Sequence, residues 1–196
     1  MAVTLEQIKE LRARTGVGIS ACKTALEESK GDYDKAAELL RKKGIAKAAK
    51  RADKSVNEGV IGVYLHSNGK LAALVELNCE TDFTARADDF KQAAHDFAMQ
   101  VAAMNPAYKD IESIPADILK KEKEIYAEEL KNSGKSENIM EKIIEGKLRK
   151  FYEENCLIKQ KYFKDDSKTI EDYLNELVAK IGEKIEIGNF TRMVVG

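Results

Sequence analysis

Long apolar runs are missing from these 196 residues: nothing approaches the roughly 18 uninterrupted apolar side chains of a membrane span, so no transmembrane helix is expected. The start, Met1-Ala2-Val3-Thr4-Leu5-Glu6, lacks a basic region followed by an apolar stretch, so a secretory leader is not expected either. Cysteine is scarce. Cys22, Cys79 and Cys156 are odd in number, widely spaced and in no CxxC pair, which suggests neither a disulfide framework nor a zinc site and suits a reducing cytoplasm. Only two histidines occur, His66 and His95, and neither begins an H-x-x-x-H or H-E-x-x-H spacing, so metal catalysis has little support. Neither a GxxxxGKS/T loop nor a GxGxxG turn is present, which removes both common devices for binding a nucleotide. A Cys nucleophile would need a histidine partner; Cys79 is the one tempting case, against a buried structural role. No cofactor or metal of its own is expected, and an enzyme is disfavoured.

An excess of one charge is missing too, since 33 Lys+Arg face 34 Asp+Glu for a net −1. What is there begins with 43% apolar residues, enough to bury a core, in a length that suits one ordinary domain plus a small one. The balanced total hides a division. Residues 1–54 carry 13 basic and 8 acidic side chains, net +5, whereas residues 55–104 carry 3 and 7, net −4. Such charge reads either as solvated helix surface or as a basic docking head on a mildly acidic body.

In the head, Thr4-Leu5-Glu6-Gln7 matches a capping box, and Leu5, Ile8 and Leu11 recur at helical spacing. Thr15-Gly16-Val17-Gly18 interrupts. A second helix is expected over about 19–29, then a third, capped by Asp32 and ending before Gly44. Three short helices in about 45 residues make a small bundle with a marginal core, the kind of module that serves as a docking surface. Residues 46–54 stay helix-prone and basic, as a tether would.

The body opens on two apolar runs, 60–66 and 71–77, joined through Asn68-Gly69, which predicts a β-hairpin with a tight primed turn. A helical pattern over 87–104 ends at Asn105-Pro106. Pro115 begins a helix closed by Lys131-Asn132-Ser133-Gly134, and a second runs from Glu137 to about Asn155, together an antiparallel hairpin. After Ile158 the chain looks irregular, a helix covers 169–180, and the tail 184–195 has strand character suited to a third antiparallel strand. The expected fold is α+β: an N-terminal three-helix bundle, then a three-stranded antiparallel sheet with packed helices and a helical hairpin. So small a sheet has exposed edges and a poorly covered face, which invites a second copy.

Thr81-Asp82-Phe83 stands out at the junction of the second strand and the following helix. The phenylalanine either packs locally on Phe90 or projects as a wedge beside a carboxylate, since aromatic anchors carry much of the energy of interfaces.

These segments carry a resemblance. Leu11-Arg12-Ala13-Arg14-Thr15-Gly16-Val17-Gly18 with Cys22-Lys23-Thr24-Ala25-Leu26, the Gly31-Asp32 interruption, Leu77-Asn78-Cys79-Glu80-Thr81-Asp82-Phe83, and Ile144-Glu145-Gly146-Lys147-Leu148 with Lys150-Phe151 closely resemble the bacterial elongation factor Ts family, in family order across nearly the whole chain. The resemblance implies a non-catalytic nucleotide exchange factor for elongation factor Tu, met both GDP-bound and nucleotide-free. It implies a ubiquitin-associated-like docking domain over 1–45, a basic linker over 46–57, and an α+β core over 58–196 with its sheet at 59–78 and 184–195 and its helical hairpin at about 115–155. In the family the TDF ring wedges between helices near the partner's magnesium site, which assigns Mg²⁺ dislocation to Thr81, Asp82, Phe83 and Thr84; relatives usually carry Val in place of Thr84. Partner contacts are implied for Arg12, Ile19 and Ser20 in the head and for His66, Ile181 and Gly182 in the core. Longer members have two core subdomains and this chain has material for one, so a homodimer in a 2:2 complex is implied, in the cytoplasm and without direct nucleic-acid contact. Two other classes stay open on the residues alone. One is a ribosome- or RNA-associated protein using Arg41-Lys42-Lys43 and Lys47-Ala48-Ala49-Lys50-Arg51, though no RNA-stacking aromatic motif is present; the other is a docking module for a different GTPase or for ubiquitin.

Overall fold

Thr4 opens the first helix as its capping box predicts: its hydroxyl oxygen accepts from the Gln7 amide at 3.2 Å, and its own amide donates to the Gln7 side chain at 2.9 Å. The computed structural model describes residues 3–131 and 136–196. Its helices are α1 (Leu5–Thr15), α2 (Ile19–Glu28), α3 (Tyr33–Lys50), α4 (Asp82–Arg86), α5 (Asp88–Met104), α6 (Ala116–Leu130), α7 (Glu137–Asn155) and α8 (Ile170–Ile181). Its strands are β1 (Glu58–Leu65), β2 (Leu71–Cys79), β3 (Lys161–Tyr162), β4 (Asp165–Thr169) and β5 (Ile185–Val194). Of the expected turn at 131–134, residues Asn132, Ser133 and Gly134 lie outside the described residues, as do Met1 and Ala2.

By compactness the chain divides into two units. One comprises Met1–Gly62, Glu76–Ala94 and Glu171–Ile187; the other comprises Val63–Val75, His95–Ile170 and Gly188–Gly196.

In the first unit, α1 to α3 bury Ile8, Leu11, Cys22, Ala25, Leu26, Ala36 and Leu40 against one another. Gly16 ends α1 in the left-handed region at φ 67°, its amide closing onto the Arg12 carbonyl at 2.7 Å. The third helix does not stop before Gly44. It continues to Lys50, with Gly44 placed where α3 crosses α8: a Cβ there would lie 3.1 Å from the Ala179 methyl and 3.3 Å from the Asn175 carbonyl. Arg41 pairs with Asp172 at 2.9 Å along the same seam. This glycine marks a close helix crossing rather than a helix end.

The main sheet is antiparallel, in the order β1-β2-β5, so the C-terminal strand adds to the hairpin as its patterning predicts. Along β2, Ala73, Val75, Leu77 and Cys79 are buried at every second position. The connection between β1 and β2 is not a two-residue primed turn. The Gly69 amide donates to the His66 carbonyl at 2.8 Å, the Lys70 amide to Asn68 Oδ1 at 3.0 Å, and only the glycine of the Asn-Gly pair takes a positive φ, of 69°.

In the second unit, α6 and α7 lie side by side, with Lys147 Nζ 5.2 Å from the Tyr126 ring centroid and paired with Glu129. The stretch after Ile158 is not irregular: β3 and β4 form a small antiparallel ladder. Polar side chains hold it where apolar alternation is absent. Fully buried Gln100 donates to the Gln160 side chain at 3.1 Å and to the Lys161 carbonyl at 3.0 Å, and accepts from the Phe163 amide at 3.0 Å. Asp96, also buried, accepts from the Tyr162 hydroxyl at 3.0 Å and from Lys164 Nζ at 2.7 Å.

Candidate functional site

Phe83 is 81% exposed, while Phe90 is fully buried. The reading in which Phe83 packs locally on Phe90 therefore does not hold. The ring stands on α4, five residues long and too short to be stable by itself, because the first helical turn fixes several dihedrals for one hydrogen bond. Its N-cap is Thr81, whose hydroxyl oxygen accepts from the Thr84 amide at 3.4 Å. Asp82 pairs with Arg86 at 2.9 Å, four residues on, and Thr84 and Ala85 turn inward and are buried.

What fixes this short element comes from the turn between α8 and β5. The Thr81 amide donates to Glu183 Oε2 at 3.1 Å and the Thr81 hydroxyl to Glu183 Oε1 at 2.7 Å. In return Glu80 Oε1 accepts from the Lys184 amide at 2.5 Å, and also from Arg51 Nη1 at 2.6 Å. Each segment thus presents a carboxylate to a backbone amide of the other. The Lys184 amide, and after it the Arg51 guanidinium, hold the Glu80 carboxyl below the ordinary glutamate range. Cys79 Sγ donates to the Thr81 carbonyl at 3.2 Å, and burial, followed by the Glu183 charge, pushes its pKa up to about 11. A thiol so held is a structural donor, not a nucleophile. All three cysteines are buried and unpaired with one another.

The remaining candidates fall in separate places. Arg12, Ile19 and Ser20 are exposed on either side of the turn that joins α1 to α2, with Ile19 51% accessible. Ile181 and Gly182 are half-buried and adjoin Glu183, so they share the ground beneath Thr81. Gly182 takes φ 92° and its amide closes α8 onto the Val178 carbonyl at 2.9 Å. His66 is exposed in the hairpin loop of the other unit, its Nδ1 2.9 Å from the Tyr64 hydroxyl. Glu183 and Glu80 are not candidates on sequence grounds, and Arg51 is one only as part of the basic stretch of the RNA-associated reading. The contacts joining them to the loop span 102, 104 and 29 positions, and no local spacing marks them. Among the described residues, no group of three or more His, Cys, Asp or Glu side chains is placed to hold a metal ion, and no helix is long and apolar enough to cross a membrane.

Against known proteins, a family model described as Elongation factor TS matches residues 21–196. Elongation factor Ts of Fervidobacterium nodosum is 53% identical over 196 residues, covering 100% of each chain. Its counterparts in Thermotoga maritima and Nitratidesulfovibrio vulgaris are 52% and 51% identical over 196 residues, covering 100% of this chain and 98% of theirs. With a family match over residues 21–196 and full-length relatives at this level of identity, the chain belongs to the elongation factor Ts family.

Proposed function

We propose that this protein is a guanine nucleotide exchange factor for elongation factor Tu in translation elongation, and that it promotes GDP release by inserting the Thr81-Asp82-Phe83-Thr84 loop near the partner's Mg²⁺ site. The observation that carries the reading is Phe83: a phenylalanine 81% exposed on a loop whose base is tied at the amide, hydroxyl and carbonyl of Thr81. Such a ring costs free energy in water and regains it in a desolvated pocket, as interface anchors do. Bound GDP is held partly through Mg²⁺, a hard cation that demands near-ideal octahedral oxygen ligands, so a small displacement of its surroundings removes much of that hold. Factor and nucleotide then oppose each other through one coupling free energy, and GDP weakens factor binding by the factor that the exchange factor weakens GDP binding. No covalent step is involved.

In the same reading, residues 1–45 dock on the partner's GTPase domain through Arg12, Ile19 and Ser20, residues 46–57 link, and the core over 58–196 carries the wedge together with contacts from His66, Ile181 and Gly182. Two copies pair through their sheets in a 2:2 complex. Val63, Leu65, Leu74 and Met193, exposed by 52, 63, 40 and 71%, supply strand surface for that pairing. The setting is the cytoplasm, with no direct nucleic-acid contact. The test is stopped-flow release of a fluorescent GDP from elongation factor Tu: Phe83→Ala should slow stimulated release about 30-fold, the loss of one roughly 2 kcal/mol hot spot. Unchanged release would refute the wedge.

A further inference from the structure

We propose that Glu183 is a positioning residue for the exchange loop, setting the angle at which Phe83 is presented; this rests on the wedge reading above. The geometry is specific. Both carboxylate oxygens of Glu183 are used on one residue, Oε2 by the Thr81 amide and Oε1 by the Thr81 hydroxyl. A threonine hydroxyl has one proton and two lone pairs, and donating that proton to Glu183 turns a lone pair toward the Thr84 amide, the bond that caps α4. Glu183 therefore fixes the rotor on which the cap depends. The Thr81 carbonyl is taken by the Cys79 thiol, so every backbone and side-chain polar group of Thr81 is spoken for before the chain reaches Phe83. The clasp is doubled by Glu80, whose carboxylate binds the Lys184 amide next to Glu183 and the Arg51 guanidinium at the end of α3.

A loop held this way is preorganised. Without the clasp, a five-residue helix with an exposed aromatic samples other conformations, and the partner must order it at the moment of insertion. The cost then falls on the step in which Phe83 enters, not on the first encounter, which other contacts supply. Charge-assisted hydrogen bonds to a carboxylate are the strong kind, so losing two of them is felt.

The experiment is nucleotide exchange on elongation factor Tu loaded with a fluorescent GDP, measured against factor concentration for Glu183→Ala, Glu183→Gln, Thr81→Val and the double variant Glu183→Ala/Thr81→Val, with Phe83→Ala alongside. The plateau release rate of Glu183→Ala should fall about tenfold, with the concentration for half-maximal stimulation unchanged within about twofold. Glu183→Gln, keeping one acceptor oxygen, should recover part of the plateau. The double variant should be little worse than Thr81→Val, because the two residues act as one unit. Thermal melting checks that each variant is folded; if Glu183→Ala is not, Glu183→Gln and Thr81→Val carry the test. A normal plateau in folded Glu183 variants, with Phe83→Ala impaired, overturns the positioning role and leaves the wedge standing. A normal plateau for Phe83→Ala overturns the wedge, and with it the proposal. Additive losses for Glu183→Ala and Thr81→Val also overturn it, since Glu183 would then act elsewhere.

Discussion

Gly62 of β1 lies directly against the backbone of Ala94 in α5: a Cβ on Gly62 would fall 2.0 Å from the Ala94 carbonyl oxygen and 2.3 Å from its carbonyl carbon. Strand and helix approach closely enough here that only hydrogen fits between them, and a backbone has no rotamer with which to step aside. Gly62→Ala should therefore destabilise the fold by about 3 kcal/mol through overpacking. The midpoint of urea unfolding should fall, with the slope of the transition unchanged.

Asp96 is a buried carboxylate whose partners include the Tyr162 hydroxyl and Lys164 Nζ. Asp96→Ala removes a buried acceptor that serves both the Tyr162 hydroxyl and Lys164, and should cost about 3 kcal/mol. Lys164→Met should cost less, because 39% of that lysine's side chain meets water and its charge is screened. Chemical denaturation of both variants gives the ranking.

The Glu80 carboxyl titrates below the ordinary glutamate range in the folded protein, first because of the Lys184 amide and then because of Arg51. The unfolded chain then binds this proton more readily than the folded one. The contribution of Glu80 is complete above the ordinary glutamate range and is lost as pH falls through the lowered folded value. Melting temperatures of wild type and Glu80→Gln should differ near neutrality and converge in acid. Parallel curves would show that the clasp does not depend on the Glu80 charge.

Burial pushes the Cys79 and Cys156 thiols each up to about 11, and Cys22 is fully buried in the helical head. Thiol reagents should label the native protein slowly at pH 8 and all three cysteines quickly in denaturant, read by mass spectrometry.

A pair of copies joined through the sheet should show twice the 21.9 kDa chain mass in light scattering. Leu65→Lys, at a position 63% exposed, should leave the monomer folded and shift the mass to one chain. A fully active monomer would refute the need for pairing.

Much of the fold was legible because its signals are local. The Thr4 and Asp32 caps, the pattern through Phe90, Ala94, Phe97 and Val101, and the third strand at the C-terminus all follow from spacing within a few residues. Tertiary contact overrides the local signal at Gly44, while Gly69 sits in a different local turn from the one its Asn-Gly pair signals. Gly44 reads as a stop but serves a helix crossing, and Asn68-Gly69 reads as a two-residue turn but sits in a wider one. The β3–β4 ladder leaves no signal in the sequence, because Asp165-Asp166-Ser167-Lys168-Thr169 has no apolar alternation. At the candidate site, an aromatic beside a carboxylate is visible, whereas the glutamates beneath it are not: one carboxylate of 34 carries no mark until folding brings it to an amide 102 positions away.

That separation has a consequence for the order of synthesis. Residues 81–84 leave the ribosome about a hundred residues before Glu183 does, which at roughly 5–20 residues per second is a lag of several seconds. During that interval the β1–β2 hairpin can form while α4 lacks its clasp. The growing chain therefore acquires a clasped Phe83 only once the turn between α8 and β5 has been made and has reached Glu80 and Thr81.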